Sequence, residues 1–151
     1  MEVCGAANVS TQASIRRNSI FDNFKGIDLC LTSPTDPGDT DTGSNGGQNY
    51  PVITSAKTSR RATIIKGTLD SEAAQGYALE FFSNPAVSPD EGKTFNAEQG
   101  FTTDATTDPD SFSFKLKGAQ KIPAGQFVTA TATNGDGDTS EFSVPVRVKR
   151  Q

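Results

Sequence analysis

Asp36, Asp39 and Asp41 form the densest group of potential ligands in this chain. They open the stretch "DPGDTDTGSNGGQNYP", residues 36–51. Asp39, Asp41 and Asn45 fall on an Asp-x-Asp-x-Gly-x-Asn spacing. Short loops of this composition present hard oxygen ligands, of which Ca²⁺ takes roughly six to eight in loose geometry. No glutamate occupies the distal position of an EF-hand, so that motif is excluded. A second set, Asn134, Asp136, Asp138 and Glu141, lies in "NGDGDTSE". Each set alone is incomplete; together they could fill a calcium shell. Asp, Asn and Gly are also the ordinary residues of turns, so a polar turn that binds nothing is the alternative reading.

Other chemistries have less to work with. The chain has no histidine, which removes Ser-His-Asp catalysis and leaves Cys4 and Cys30 as a poor zinc site. "GSNGG" lacks the lysine and helix of a phosphate-cradling loop. The acid count alone leaves open a carboxylate pair for glycoside cleavage. The expectation is a module that is not an enzyme. The net charge is −4 and no basic run exceeds "RR", so no nucleic-acid partner is expected. No run approaches the ~20 apolar residues of a membrane-spanning helix. The opening "MEVCGAANVS" lacks the features of a signal peptide, and Met1 reads as a start inside a longer protein.

The positioning elements are strands. Apolar residues are 33% of the chain and gather in short Val-, Ile-, Phe- and Thr-rich runs. Glycines and prolines punctuate these runs at the rhythm of an all-β domain. Seven strands are predicted, at 51–59, 62–69, 77–84, 93–103, 111–118, 126–133 and 140–149. Several alternate with period two: Phe112, Phe114 and Leu116; Val128, Ala130 and Ala132; Phe142, Val144, Val146 and Val148. Such alternation predicts one buried and one solvated face, as in an antiparallel sandwich. Pro145 marks the last strand as an edge or a bulge.

Residues 1–33 read differently. "NSIFDNFKGIDL" places Asn18-Ser19-Ile20, then Asn23, then Gly26-Ile27-Asp28-Leu29. This resembles one rung of a right-handed parallel β-helix, as in pectate-lyase-like and bacterial surface proteins. "MEVC" at 1–4 and "IDLC" at 27–30 match at an offset of 26 residues, about one rung. Stacking would bring Cys4 over Cys30 at the strand spacing of roughly 4.8 Å, within reach of a disulfide. Two reduced cysteines in neighbouring rungs is the other reading. Residues 51–149, through "TIIKGTLD", "YALEFFSNPA", "IPAGQFVTATAT" and "TSEFS", resemble the immunoglobulin-like modules that end large bacterial secreted and surface proteins. The chain lacks their tryptophan and paired sandwich cysteines, so an antibody-type domain is excluded.

The expected organisation is therefore all-β. A partial β-helix rung (1–33) is followed by an Asp/Gly-rich connection (34–50) and a seven-stranded immunoglobulin-like or fibronectin-type-III-like sandwich (51–149). In that topology the connection and three loops share one end. That end gathers Asp36, Asp39, Asp41, Asp70, Glu72, Asp104, Asp108, Asp110, Asp136 and Asp138, ten of the eighteen acids. Like charges held together are unfavourable unless neutralised, and calcium at the joint would neutralise them. The resemblance implies an extracellular or cell-surface location. It also implies a structural or adhesive role that caps a β-helix, with other domains of the parent protein as partners. The alternative is a carbohydrate-binding module on a polysaccharide-degrading enzyme, with Phe82 and Tyr77 as ligand-binding aromatics. Adjacent strand residues face opposite sides, so a core Phe81 would turn Phe82 outward. Burial of Phe82 under a loop is the plainer expectation. A polysaccharide lyase fragment is a third, weaker reading.

Overall fold

The computed structural model describes residues 1–2, 12–31, 35–86, 90–106 and 109–151. Eight strands are present among them: β1 (Val52–Thr58), β2 (Ala62–Leu69), β3 (Gly76–Asn84), β4 (Thr94–Thr102), β5 (Asp110–Lys117), β6 (Phe127–Thr133), β7 (Val146–Arg147) and β8 (Lys149–Arg150). They form two four-stranded sheets, ordered β5-β2-β1-β8 and β4-β3-β6-β7. Every pairing of these strands is antiparallel except β1 with β8. Between the sheets lies one apolar core that includes Ile65, Leu69, Leu79, Phe81, Phe112, Leu116 and Val128. These are the inward members of the period-two patterns.

The seventh predicted strand is not one strand. Residues 140–145 carry no strand, and the chain beyond Pro145 is split between the sheets. Val146–Arg147 pairs with β6, and Lys149–Arg150 pairs with β1. Val148, buried at the crossing, bonds to both Gly125 and Gln126. The cause of the irregularity is local. Ser140 bonds to Ala132 and Ser143 to Ala130, each through backbone and hydroxyl. Three steps of chain thus oppose two, which is a bulge, and alternation fails. Phe142 therefore leaves the predicted face and Val144 is exposed, while Val148 keeps its place in the core.

The second sheet differs from the prediction of a solvated outer face. Glu80, Phe82 and Asn84 of β3 and Thr129, Thr131 and Thr133 of β6 are all buried. The cover is residues 12–31. Ile15, Ile27 and Leu29 join Phe82 and Phe142 in a second apolar cluster outside the sandwich. Phe82 meets Phe95 and Phe142 edge to face. A Cβ on Gly26 would lie 2.7 Å from both the Asp90 carbonyl oxygen and the Phe142 ring, so only glycine allows this approach.

Within the N-terminal part, Glu2 forms a parallel bridge with Asp28, the offset of 26 residues seen in the sequence. The Asp28 amide bonds to the Met1 carbonyl at 2.9 Å. Cys30 is disulfide-bonded. Cys4, the chain's other cysteine, lies outside the described residues.

Candidate metal centre and the joint around it

The loop that precedes β1 owes its shape to left-handed residues. Asp39, Asn45, Gly46 and Gly47 all have φ between 52° and 75°. Asn45 to Gly47 belong to a 3₁₀ turn, Ser44–Gly47. This turn folds the loop back, and a Cβ on Gly47 would strike the Asp41 carboxylate. Asp36, Asp39 and Asp41 are thereby gathered, with one oxygen of each within 4.8 Å of the others.

The three carboxylates are unequally held. Asp36 Oδ2 accepts from the Thr40 amide and hydroxyl, at 3.0 and 2.7 Å. Asp39 Oδ2 accepts from Gln48 Nε2 at 2.9 Å and from the Ser71 hydroxyl. Asp39 Oδ1 accepts from the Asn49 amide at 3.1 Å. Asp36 Oδ1 and Asp41 Oδ1 are buried with no hydrogen-bond partner. Among the described residues, no lysine or arginine pairs with the group. Burial pushes the Asp39 carboxyl up to about 6; Asp41 and Asp36 push the same way, against the bonds from Ser71 and Asn49. Burial, then Asp36, likewise raises Asp41. Desolvation and like charge both disfavour ionisation, and a hard divalent cation would relieve both.

Two residues outside the predicted ligand set build this loop. Asn49 donates to the carbonyls of Asp36 and Asp70, each at 2.7 Å, and accepts from the Asp36 amide at 2.9 Å. Gln48 joins Asp39 to Ser71. The signal for them in the sequence is a pair of amide side chains directly before a strand. Such side chains carry donor and acceptor together and can satisfy loop backbone. Asp70 Oδ1 accepts from the Gly38 amide at 2.8 Å, which ties the connection to the β2–β3 loop. Tyr77 also belongs here: burial and the nearby Asp39 charge raise its hydroxyl, opposed by a bond from Ser71.

The remaining predicted ligands lie elsewhere. Asn45 is fully buried and is a clip rather than a ligand. Its Oδ1 accepts from the Ala13 amide at 2.7 Å, and its Nδ2 donates to the carbonyls of Ala13 and Thr139. Its amide is used up by backbone from two distant segments. Glu141 accepts from Lys25 Nζ at 2.7 Å and from the Leu29 amide at 2.9 Å. Asp136 and Asp138 flank a turn held by the Asn134 side chain. Asp136 is exposed, while Asp138 is buried beside Gly46 with Oδ1 unpartnered. Neither joins the Asp36 group. Phe82 is 2% exposed and Tyr77 4%, so neither ring offers a face to a ligand.

A second set of carboxylates receives the N-terminal segment. Glu80 Oε2 accepts from the Arg17 amide at 2.8 Å. Glu91 accepts from the amides of Asp22 and Asn23, at 3.2 and 2.6 Å. Glu141 takes Leu29, as above. Glu80 stands opposite Glu98 across β3 and β4, and Arg16 and Arg17 both reach Glu98. Burial first, then Glu98, raises the Glu80 carboxyl, with the Arg17 amide and Arg16 opposing. Glu80 and Glu98 form a second carboxylate pair, in which Glu80 is fully buried beneath residues 16–17.

No protein-family model matches the chain, and no curated protein matches it.

Proposed function

We propose that this chain is a non-catalytic structural module of an extracellular or cell-surface protein. Its sandwich grips the end of a preceding β-helix-like segment, and calcium at Asp36, Asp39 and Asp41 stiffens the loop between them. The observation that carries this reading is the outer face of the second sheet. Glu80 on that face, and Glu91 and Glu141 in the connections that flank it, accept backbone amides from residues 17–29. A face that buries carboxylates to satisfy another segment's backbone is specialised for holding that segment. The parallel Glu2–Asp28 bridge supports a rung-like stack, and the disulfide at Cys30 supports an oxidising compartment. The unpartnered Oδ1 atoms of Asp36 and Asp41 support a cation at the joint.

Two measurements test it. Hydrogen exchange should find the amides of Arg17, Asp22, Asn23 and Leu29 protected nearly as well as the sandwich strands. Free exchange at these positions would overturn the gripping role. Calorimetric melting should rise by about 5–10 °C when calcium replaces chelator at a hundredfold excess over its dissociation constant. The rise should vanish in Asp39→Asn/Asp41→Asn. An unchanged transition in the parent chain sinks the calcium assignment and leaves the exchange result standing.

A further inference from the structure

The outer face of the first sheet is uncovered, and its charge runs against that of the chain. Pair register places Lys149, Lys57, Ile64 and Lys115 in one row across β8, β1, β2 and β5. The three lysines are exposed. Lys66, between Ser55 and Ser113, lies in the adjoining row, and Lys117 follows Lys115 on the same face. The acids of β1, β2, β5 and β8 amount to Asp110 alone, at the far end of β5. No ion pair among the described residues involves these lysines.

The basic surface continues around the sheet end opposite the aspartate joint. There the β1–β2 turn, the Gly118–Ala124 connection and the last residues line an open groove of about 710 Å³. Arg60, Lys121 and Arg150 supply its charged side chains, and no acidic or aromatic side chain lines it. Lys121 Nζ is fixed on the Arg60 carbonyl at 2.9 Å. Arg150 follows Lys149 on β8, so the groove begins where the row ends, although the two side chains leave the strand on opposite sides. Like charges set opposite one another in a sheet are destabilising. In a chain of net charge −4, nothing on this face offsets them.

We propose that this face and groove bind a linear acidic polysaccharide, bearing uronate carboxylates or sulfates. Three lysines across four strands span roughly 14 Å at the ~4.8 Å strand spacing, which suits an extended polyanion laid across the strands. A single-stranded nucleic acid would call for stacking aromatics, and neither the face nor the groove presents one. A duplex would call for a helix or two-stranded ribbon that enters a groove, and this four-stranded sheet face carries neither. The inference is independent of calcium at the joint.

The test uses the whole chain in chelator, so that calcium cannot bridge protein and polymer. Titration calorimetry with a galacturonic-acid oligomer should show binding that weakens at least about tenfold between about 50 and about 200 mM salt. Dextran, which is neutral, should not bind. Lys57→Gln/Lys115→Gln/Lys149→Gln should bind at least roughly tenfold more weakly, with a melting temperature no lower than the parent's. Arg60→Gln/Arg150→Gln, which leaves the three lysines of the row in place, should weaken binding in the same direction. Failure of the oligomer to bind at the lowest salt overturns the proposal. So does full binding by both variants, or tighter binding of oligothymidylate than of the oligomer at equal salt.

Discussion

The two sheets contribute four strands each, yet their outer faces have opposite fates. The outer face of β4-β3-β6-β7 is roofed by residues 12–31 and buries three threonines, Glu80, Phe82 and Asn84. The outer face of β5-β2-β1-β8 is open and carries lysines. Both faces show period-two alternation in sequence. The difference is therefore set by what docks from elsewhere in the chain. A polar residue on a strand marks a face that is not the core; it does not mark a face in water. Thr131 and Lys115 obey the same alternation, and only one of them is solvated.

The largest expected effect comes from the roof. Phe142→Ala removes the ring packed against Phe82 and beneath Gly26, and should cost about 3–5 kcal/mol. Hydrogen exchange should then speed up across residues 15–29 before it does in β1, β2 and β5. Equal acceleration in the first sheet would mean that the two faces do not open separately. Next is the clip. Asn45→Ala deletes three hydrogen bonds and strands the Ala13 amide, which should cost about 2–3 kcal/mol by chemical denaturation.

The third prediction concerns pH. Asp39 is raised from 3.8 to about 6 in the folded chain. The folded state therefore holds the extra proton, and this contribution is complete below about pH 4 and lost as pH rises through about 6. After allowance for solvent screening it is on the order of 1–2 kcal/mol. In chelator, melting temperature should fall across that window, and Asp39→Asn should flatten the fall. Glu80, also raised, adds to it in the same direction. Calcium should reverse the trend at the joint, since it binds the ionised carboxylates. A flat profile in the parent chain would contradict the shift. The smallest effect belongs to the open face. Lys57→Gln should change stability by less than about 0.5 kcal/mol, and toward greater stability, because it relieves Lys149.

Six strands are legible in the sequence within a residue or two, because their alternation is dictated by the core alone. The all-β sandwich and the closeness of Asp36, Asp39 and Asp41 follow from the same local patterns, whereas which strand pairs with which does not. The last strand is not legible. Pro145 signals an edge or a bulge, but the bulge lies upstream of it, at Ser140–Ser143, and depends on hydroxyls that answer β6. Asn45 misleads for a related reason. Its spacing from Asp39 and Asp41 suits a metal loop, while its partners, Ala13 and Thr139, lie 32 and 94 residues away. The lysine face is invisible in sequence because its members come one or two at a time, from four different strands. Only register makes them neighbours.

The roof also imposes an order of assembly. Leu29 is bound by Glu141, 112 residues later, and Ile15 by Thr139, 124 residues later. On the ribosome, residues 12–31 emerge well before the face that receives them exists. At ordinary elongation rates the delay is on the order of ten seconds. During that interval Ile15, Ile27 and Leu29 have no surface of this sandwich to occupy. Closure of the roof therefore comes late, and it completes only once synthesis has carried the chain past Glu141 and Phe142.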